Sequence, residues 1–229
     1  MKVISFSLWG DNPTYTIGAL KNADLAAELF PDWKCIFYCF ASVPETIIEQ
    51  LKSRPNVIVR MVEGQGDNRG MFHRFYPAEE QGVERVICRD TDSRLSPREV
   101  LAVEEWIKQG TDFHVIRDHP YHSIPILGGM WGVLGGKLHG MVQAATEFFP
   151  TPEKGQDQRF LVQWVWSKIN NGHLTVTVHD DIFTNNPFPS GATRGDENMG
   201  VWFIGQVFDE NDKYNSQSDV DVLLKAIQQ

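Results

Sequence analysis

Glu84-Arg85-Val86-Ile87-Cys88-Arg89-Asp90-Thr91-Asp92-Ser93-Arg94-Leu95-Ser96-Pro97-Arg98-Glu99 is the stretch on which the fold turns. Val86-Ile87-Cys88 is a short apolar run of the kind that a sheet buries on both faces. Alternation along an extended chain sends residues i and i+2 to one side, so Asp90 and Asp92 emerge together where the run ends. Ser96, Pro97 and Glu99 then fit the N-cap, first-turn and capping-box positions of a helix. Two carboxylates set between a strand and a helix lie where open α/β sheets bind ligands. The pair is a hard oxygen site suited to Mg²⁺ or Mn²⁺, ions that keep water and substrate phosphate as their other ligands. Paired aspartates also occur in ordinary turns, so the triplet takes its weight from its surroundings.

Upstream, strands and helices alternate. Residues 2–7 read as a first strand, followed by the turn formers Trp9-Gly10-Asp11-Asn12-Pro13. A helix is expected over residues 15–30, a strand over 34–40, a helix from Val43-Pro44-Glu45 to Ser53 and a strand over 56–62. A short helix is expected over 71–75. Repeated units of this length imply a mostly parallel sheet with helices on both faces. Downstream, the capped helix over 97–108 should end at Gly110, with a strand over 113–117 after it. Helices are expected over 137–148 and 156–169, and a strand over 174–178. The remainder, rich in Asn, Pro, Gly and Asp, reads as loop with one short strand near 202–207. No internal repeat appears, and one domain over residues 1–229 is expected.

The 229 residues can bury a full core, and 41% hydrophobic with 22% charged content is that of an ordinary globular protein. A formal charge of −9, without a Lys/Arg cluster, excludes a phosphate-tracking nucleic-acid surface. No apolar run reaches membrane-spanning length, so no integral membrane segment is expected. Cys35, Cys39 and Cys88 are odd in number and lie in strand-like segments, which suits reduced thiols in the cytoplasm.

Three segments in this order carry a resemblance: Arg89-Asp90-Thr91-Asp92-Ser93-Arg94, Arg117-Asp118-His119-Pro120-Tyr121-His122, and Ile126-Leu127-Gly128-Gly129-Met130-Trp131-Gly132. The chain resembles nucleotide-sugar glycosyltransferases of the GT-A fold, which carry an Asp-any-Asp motif after a central strand, and most of all small bacterial and large-virus members. The resemblance implies a single Rossmann-like α/β domain with the nucleotide part at about residues 1–95 and the acceptor side at about 96–229. It implies a nucleoside-diphosphate sugar donor, with a UDP-sugar expected, and a glycan, glycolipid or glycoprotein acceptor. It places the donor nucleotide near Phe6, Ser7, Leu8 and Trp9, the metal on Asp90 and Asp92, and a donor-sugar contact at Gly128 and Gly129. His179 is the residue it offers as a C-terminal metal ligand. Asp157, in Gly155-Gln156-Asp157-Gln158, would be a base in an inverting enzyme or an acceptor-positioning group in a retaining one.

Loss of a diphosphate leaving group needs positive charge where negative charge develops, which a divalent ion on Asp92 and Asp90 would supply. Arg74, Arg89, Arg94 and Arg117 can bond phosphate or sugar hydroxyls, although Arg89 and Arg94 can equally pair with nearby acids. Asp118 can accept sugar hydroxyls or cap a turn. His119 and His122 lack further ligands at zinc spacing. Trp131 is a stacking surface or a core residue. A haloacid-dehalogenase-like phosphatase also puts paired aspartates after a strand, but near the N-terminus. A sugar-nucleotide pyrophosphorylase would need a Gly-rich basic loop that the N-terminus lacks. A non-catalytic carbohydrate-binding protein on the same fold is the third alternative.

Overall fold

A computed structural model describes residues 1–148, 153–195, 202–214 and 216–228. The strands are β1 (Lys2–Leu8), β2 (Trp33–Phe40), β3 (Val57–Val62), β4 (Arg85–Cys88), β5 (Phe113–Arg117), β6 (Trp131–Leu134) and β7 (Val176–Asp180). They form one sheet in the order β3-β2-β1-β4-β6-β5-β7. Strands β1 to β4 pair in parallel, as do β5 and β7, and β6 runs antiparallel between β4 and β5. The α/β architecture and the mostly parallel sheet are those expected from the alternation.

Helices α1 (Pro13–Leu29), α2 (Glu45–Lys52) and α3 (Pro97–Gln109) cover one face. A 3₁₀ segment (Asn68–Glu79) and helix α4 (Met141–Phe148) cover the other. Helix α5 (Gln156–Phe160) continues through a π-helical turn (Leu161–Trp166) into α6 (Ser167–Asn170), so the helix expected over 156–169 forms with one wide turn inside it. Period-two alternation divides β1 between the layers. Ile4, Phe6 and Leu8 enter the α1 side, while Val3 enters the opposite core. Both faces of β1 are therefore covered, and its C-terminal end is where the chain can meet a ligand.

Several local expectations need correction. Glu99 does not close a capping box. The Ser96 hydroxyl accepts the Glu99 N–H at 3.4 Å, but the Glu99 carboxylate pairs with Arg89 in the core. Residues 202–207 form turns rather than a strand, and Gly128-Gly129 leads into β6, a strand that the expected elements do not include. Helix α7 (Gln217–Ile227), burying Val220 and Leu223, lies in the tail that had read as loop. Trp131 is a core residue, stacked on Phe113.

Candidate active site

The strand order reverses direction about β1 and β4, and the crevice of an open sheet forms at such a point. Parallel pairing of Ser5 with Cys88 brings the loop after β1 beside the Asp90-Thr91-Asp92 turn after β4. The turn is clamped from behind. The Asn22 side chain donates to the Thr91 and Ser93 carbonyls at 3.3 and 2.7 Å and accepts the Leu95 N–H at 3.1 Å. Gly18 lets α1 approach so closely that a Cβ there would overlap the Thr91 carbonyl.

In front of the turn lies a cleft of about 490 Å³, within the size range of small-molecule sites. Its lining includes Ser7, Trp9, Asn12 and Tyr15, the Asp90 and Asp92 pair, and Arg74, Gly128 and Asp157. Arg74, from the 3₁₀ segment, is 3% exposed. Its guanidinium bridges two carboxylates, pairing with Asp90 Oδ1 through one terminal nitrogen and with Asp157 Oδ2 at 2.9 Å through the other. Its N–H donates to the Ser7 hydroxyl at 3.0 Å, which ties the bridge to β1. Gly128 and Gly129 pack directly on this bridge. A Cβ at Gly128 would overlap the Asp157 carboxylate, and one at Gly129 the Asp90 carboxylate.

The electrostatics are those of crowded acids. Burial works against the charge on Arg74, but Asp90 and Asp157 outweigh it and hold its pKa above the usual arginine range. Burial raises Asp157, with Arg74 partly offsetting, and its Oδ1 is buried without a hydrogen-bond partner. Burial and the neighbouring Asp90 charge push Asp92 up to about 6. Burial followed by the charges of Asp92 and Asp90 also raises the Tyr15 hydroxyl.

A hard divalent cation fits this donor set. Asp92 has no direct cationic partner among the described residues, and burial, with the Asp90 charge adding to it, disfavours its ionised form, which a cation would stabilise. Among the described residues no three His, Cys, Asp or Glu side chains converge into a closed cage. Two protein carboxylates with open positions is the manner in which Mg²⁺-type ions are held when a phosphate-bearing substrate supplies further ligands.

No family model matches the chain, and no curated protein does. Solved structures do match it. Residues 1–349 of S. aureus TarS align over 79% of this chain and 58% of that one, at 14% identity and a TM-score of 0.51. The mannosyltransferase PcManGT from Pyrobaculum calidifontis, in complex with GDP-Man and Mn²⁺, aligns over 79% of this chain and 54% of that one at 13% identity, with a TM-score of 0.53. The fold is GT-A-like. The chain spans a little over half the length of these two. A 4-diphosphocytidyl-2C-methyl-D-erythritol synthase from Anaerococcus prevotii aligns over 100% of this chain and 98% of that one, at 11% identity and a TM-score of 0.50.

On this GT-A-like frame the residues expected from sequence separate into two groups. Ser7, Leu8, Trp9, Arg74, Asp90, Asp92, Gly128 and Asp157 line one cleft, and Gly129 packs against Asp90 behind it. Phe6 does not join them, because alternation turns it into the α1-side core, stacked on Phe37 with ring centroids 4.6 Å apart. His179 is also misplaced as a metal ligand. It lies on β7, three strands from β4, and both its ring nitrogens are engaged, with His114 Nε2 and Glu105 Oε2, each at 2.7 Å.

Arg117 and Asp118 likewise serve the fold rather than the cleft. Arg117 donates to Asp180 Oδ2 at 2.8 Å. Asp118, fully buried, receives both arms of Arg98 at 2.9 Å, Arg194 at 2.9 Å and the Ile204 N–H at 2.9 Å. The Arg89 and Arg94 guanidiniums are engaged with Glu99 and with Asp212. Asn12, Tyr15, Asn68, Met71, Lys154 and Gln158 line the cleft without having been singled out in the sequence. For Asn12 and Tyr15 a signal existed, since they follow the C-terminal end of β1. For Lys154 and Gln158 only the return of the chain past α4 brings them there.

Proposed function

We propose that the protein is a metal-dependent glycosyltransferase, and that the cleft after β1 and β4 takes a nucleoside-diphosphate sugar, with a UDP-sugar as the expected donor. The observation that carries this reading is the meeting of the Asp90/Asp92 pair with Arg74 and Asp157 in one cleft. Solved structures of similar fold include TarS with UDP or UDP-GlcNAc, as well as the GDP-Man and Mn²⁺ complex, which supports the choice of donor class and ion.

In this reading Asp92, with Asp90 beside it, holds Mn²⁺ or Mg²⁺, which when bound supplies Lewis-acid stabilisation to the departing diphosphate. Trp9, whose ring meets Phe40 edge-on at 6.4 Å, forms the wall for the nucleotide with Ser7 and Leu8. Gly128, on the cleft wall, is the proposed backbone contact for the donor sugar, with Gly129 behind it giving the Asp90 carboxylate its space. Arg74 fixes Asp157 through Oδ2 on the cleft wall, where Asp157 is the proposed base or acceptor-positioning group. In this reading residues 1–95 furnish the nucleotide part of one domain and residues 96–229 the acceptor side together with the Gly128-Gly129 sugar contact, with a glycan or glycoconjugate hydroxyl as acceptor. Among the described residues no helix is long and apolar enough to cross a membrane, and the three free, buried cysteines suit a reducing compartment such as the cytoplasm.

Nucleotidyl transfer is the second reading, favoured by the full-length alignment with the Anaerococcus synthase. The loop Ser7-Leu8-Trp9-Gly10-Asp11-Asn12 speaks against it, since it offers a nucleoside triphosphate no lysine or arginine. The phosphatase alternative is disfavoured because the aspartates follow β4 rather than the first strand. Incubation with UDP- and GDP-sugars, Mn²⁺ and a panel of glycan acceptors should release nucleoside diphosphate only when metal is present. Pyrophosphate release from CTP without any turnover of sugar nucleotides would replace this reading by the second. Phosphate release from a phosphomonoester alone would replace both.

A further inference from the structure

The Asp90-Thr91-Asp92 turn is held from behind by residues more than a hundred positions away. The Phe208 N–H donates to the Asp92 carbonyl at 2.8 Å. Arg94, 6% exposed, donates to the Ser93 carbonyl and to the Asp209 carbonyl at 2.9 Å each, and through Nε to Asp212 Oδ1 at 2.9 Å. Its guanidinium also lies over the Phe208 ring, 5.5 Å from the centroid. The other Asp212 oxygen pairs with Lys21 of α1. Asp209 Oδ1 accepts the N–H groups of Asn211 and Lys213, which closes a tight loop around Asp212. Asp212 sits at φ +60°, a left-handed conformation that Asp and Asn accept more readily than other non-glycine residues. The strap and the Arg94 guanidinium lie outside the cleft lining, yet the bonds to the Asp92 and Ser93 carbonyls act on the backbone that carries the two carboxylates.

We propose that Arg94 is a positioning residue, and that docking of the 208–212 strap through Arg94 and Asp212 is thermodynamically coupled to cation binding at Asp90 and Asp92. The inference rests on the metal reading given above. A strap that favours the ligating arrangement of the turn raises cation affinity, and by linkage the bound cation must favour the docked strap by the same factor.

The coupling is read by Mn²⁺ titration, followed by electron paramagnetic resonance, of the wild type, Asp212→Asn and Arg94→Lys. Hydrogen exchange at the Phe208 amide, with and without Mn²⁺, accompanies it. Asp212→Asn keeps the left-handed backbone and removes the charge that engages Arg94, and it should weaken Mn²⁺ binding about tenfold, a typical coupling between sites. In the wild type, Mn²⁺ should slow exchange at Phe208, and this slowing should shrink in the variant. A merely structural role would lower melting temperature without any Mn²⁺-dependent change at Phe208. Equal Mn²⁺ affinity in wild type and Asp212→Asn, or Phe208 exchange indifferent to Mn²⁺, overturns the coupling alone. Absence of Mn²⁺ binding to the wild type overturns the metal reading and the coupling with it. If either variant fails to fold, the exchange measurement on the wild type still decides.

Discussion

Replacing Arg74 by Met tests whether the cleft is organised around one buried cation. The substitution keeps an unbranched apolar stem and removes the guanidinium that faces Asp90 and Asp157. Asp157 is 2% exposed, so losing the Arg74 bond to Oδ2 leaves a buried carboxylate without its cation. Removing one partner of a buried ion pair costs about 3–5 kcal/mol. With a urea m-value of about 2–3 kcal/mol/M, the unfolding midpoint should fall by about 1–2.5 M. Asp157→Leu added to Arg74→Met removes the stranded charge and should recover most of that loss, because apolar replacement of a whole buried pair is often neutral. The cycle of single and double variants isolates the interaction. Urea unfolding of the metal-free protein is the assay. A loss below about 1 kcal/mol for Arg74→Met, or additive single and double variants, would refute the account of the bridge.

Gly18→Ala raises helix propensity by about 1 kcal/mol, yet its Cβ would overlap the Thr91 carbonyl. A net destabilisation of about 1–3 kcal/mol is expected from the overpacking, and calorimetry would detect a gain instead. Burial, with His119 and Arg194 adding to it, lowers the His122 pKa to about 3. The unfolded chain then takes a proton below about pH 6.5 that the folded one refuses, so the contribution of His122 is complete above that pH. It is lost by up to about 1.4 kcal/mol per pH unit as pH falls towards the folded value. Urea titrations at pH 7, 6 and 5 should show that slope reduced in His122→Gln. Asp92 behaves in the opposite sense, since its folded pKa is raised to about 6 and cation binding must expel the proton. Mn²⁺ affinity should be flat above pH 7 and fall about tenfold per unit once pH drops below about 6, as a series of metal titrations would record.

The central β-strand and its aspartates were legible because apolar runs and period-two alternation act locally. The same local rules located α1, β2, α2, β3, α3 and β5 within a few residues. They could not place β6, since Trp131-Gly132-Val133-Leu134 follows two glycines and becomes a strand only because β4 and β5 leave a gap between them. Helix α7 was hidden in a tail whose composition favours loops, although Val220 and Leu223 have helical spacing. At the site, alternation at a strand end accounts for Asp90 and Asp92 emerging together, whereas Ser7 and Trp9 are indicated only by the resemblance, and Phe6 beside them turns into the core by the same alternation. His179 and the Arg117-Asp118 pair failed for a different reason. Which strand neighbours which is a non-local property, and β5 and β7 lie on the far side of β6, where their polar ends satisfy one another. Arg74 was legible as a cation near the cleft but not as a bridge, because its partners lie 16 and 83 positions away.

The most direct test of the central claim is calorimetric titration of UDP- and GDP-sugars, with and without Mn²⁺, into the wild type and Asp92→Ala. Burial and the charge of Asp90 make ionised Asp92 unfavourable in the metal-free fold, so the variant's melting temperature should hold or rise. Donor binding should require Mn²⁺ in the wild type and weaken by at least about 100-fold in the variant, the equivalent of several kcal/mol of lost metal interaction. Wild-type donor affinity and turnover in a folded Asp92→Ala protein would contradict the account.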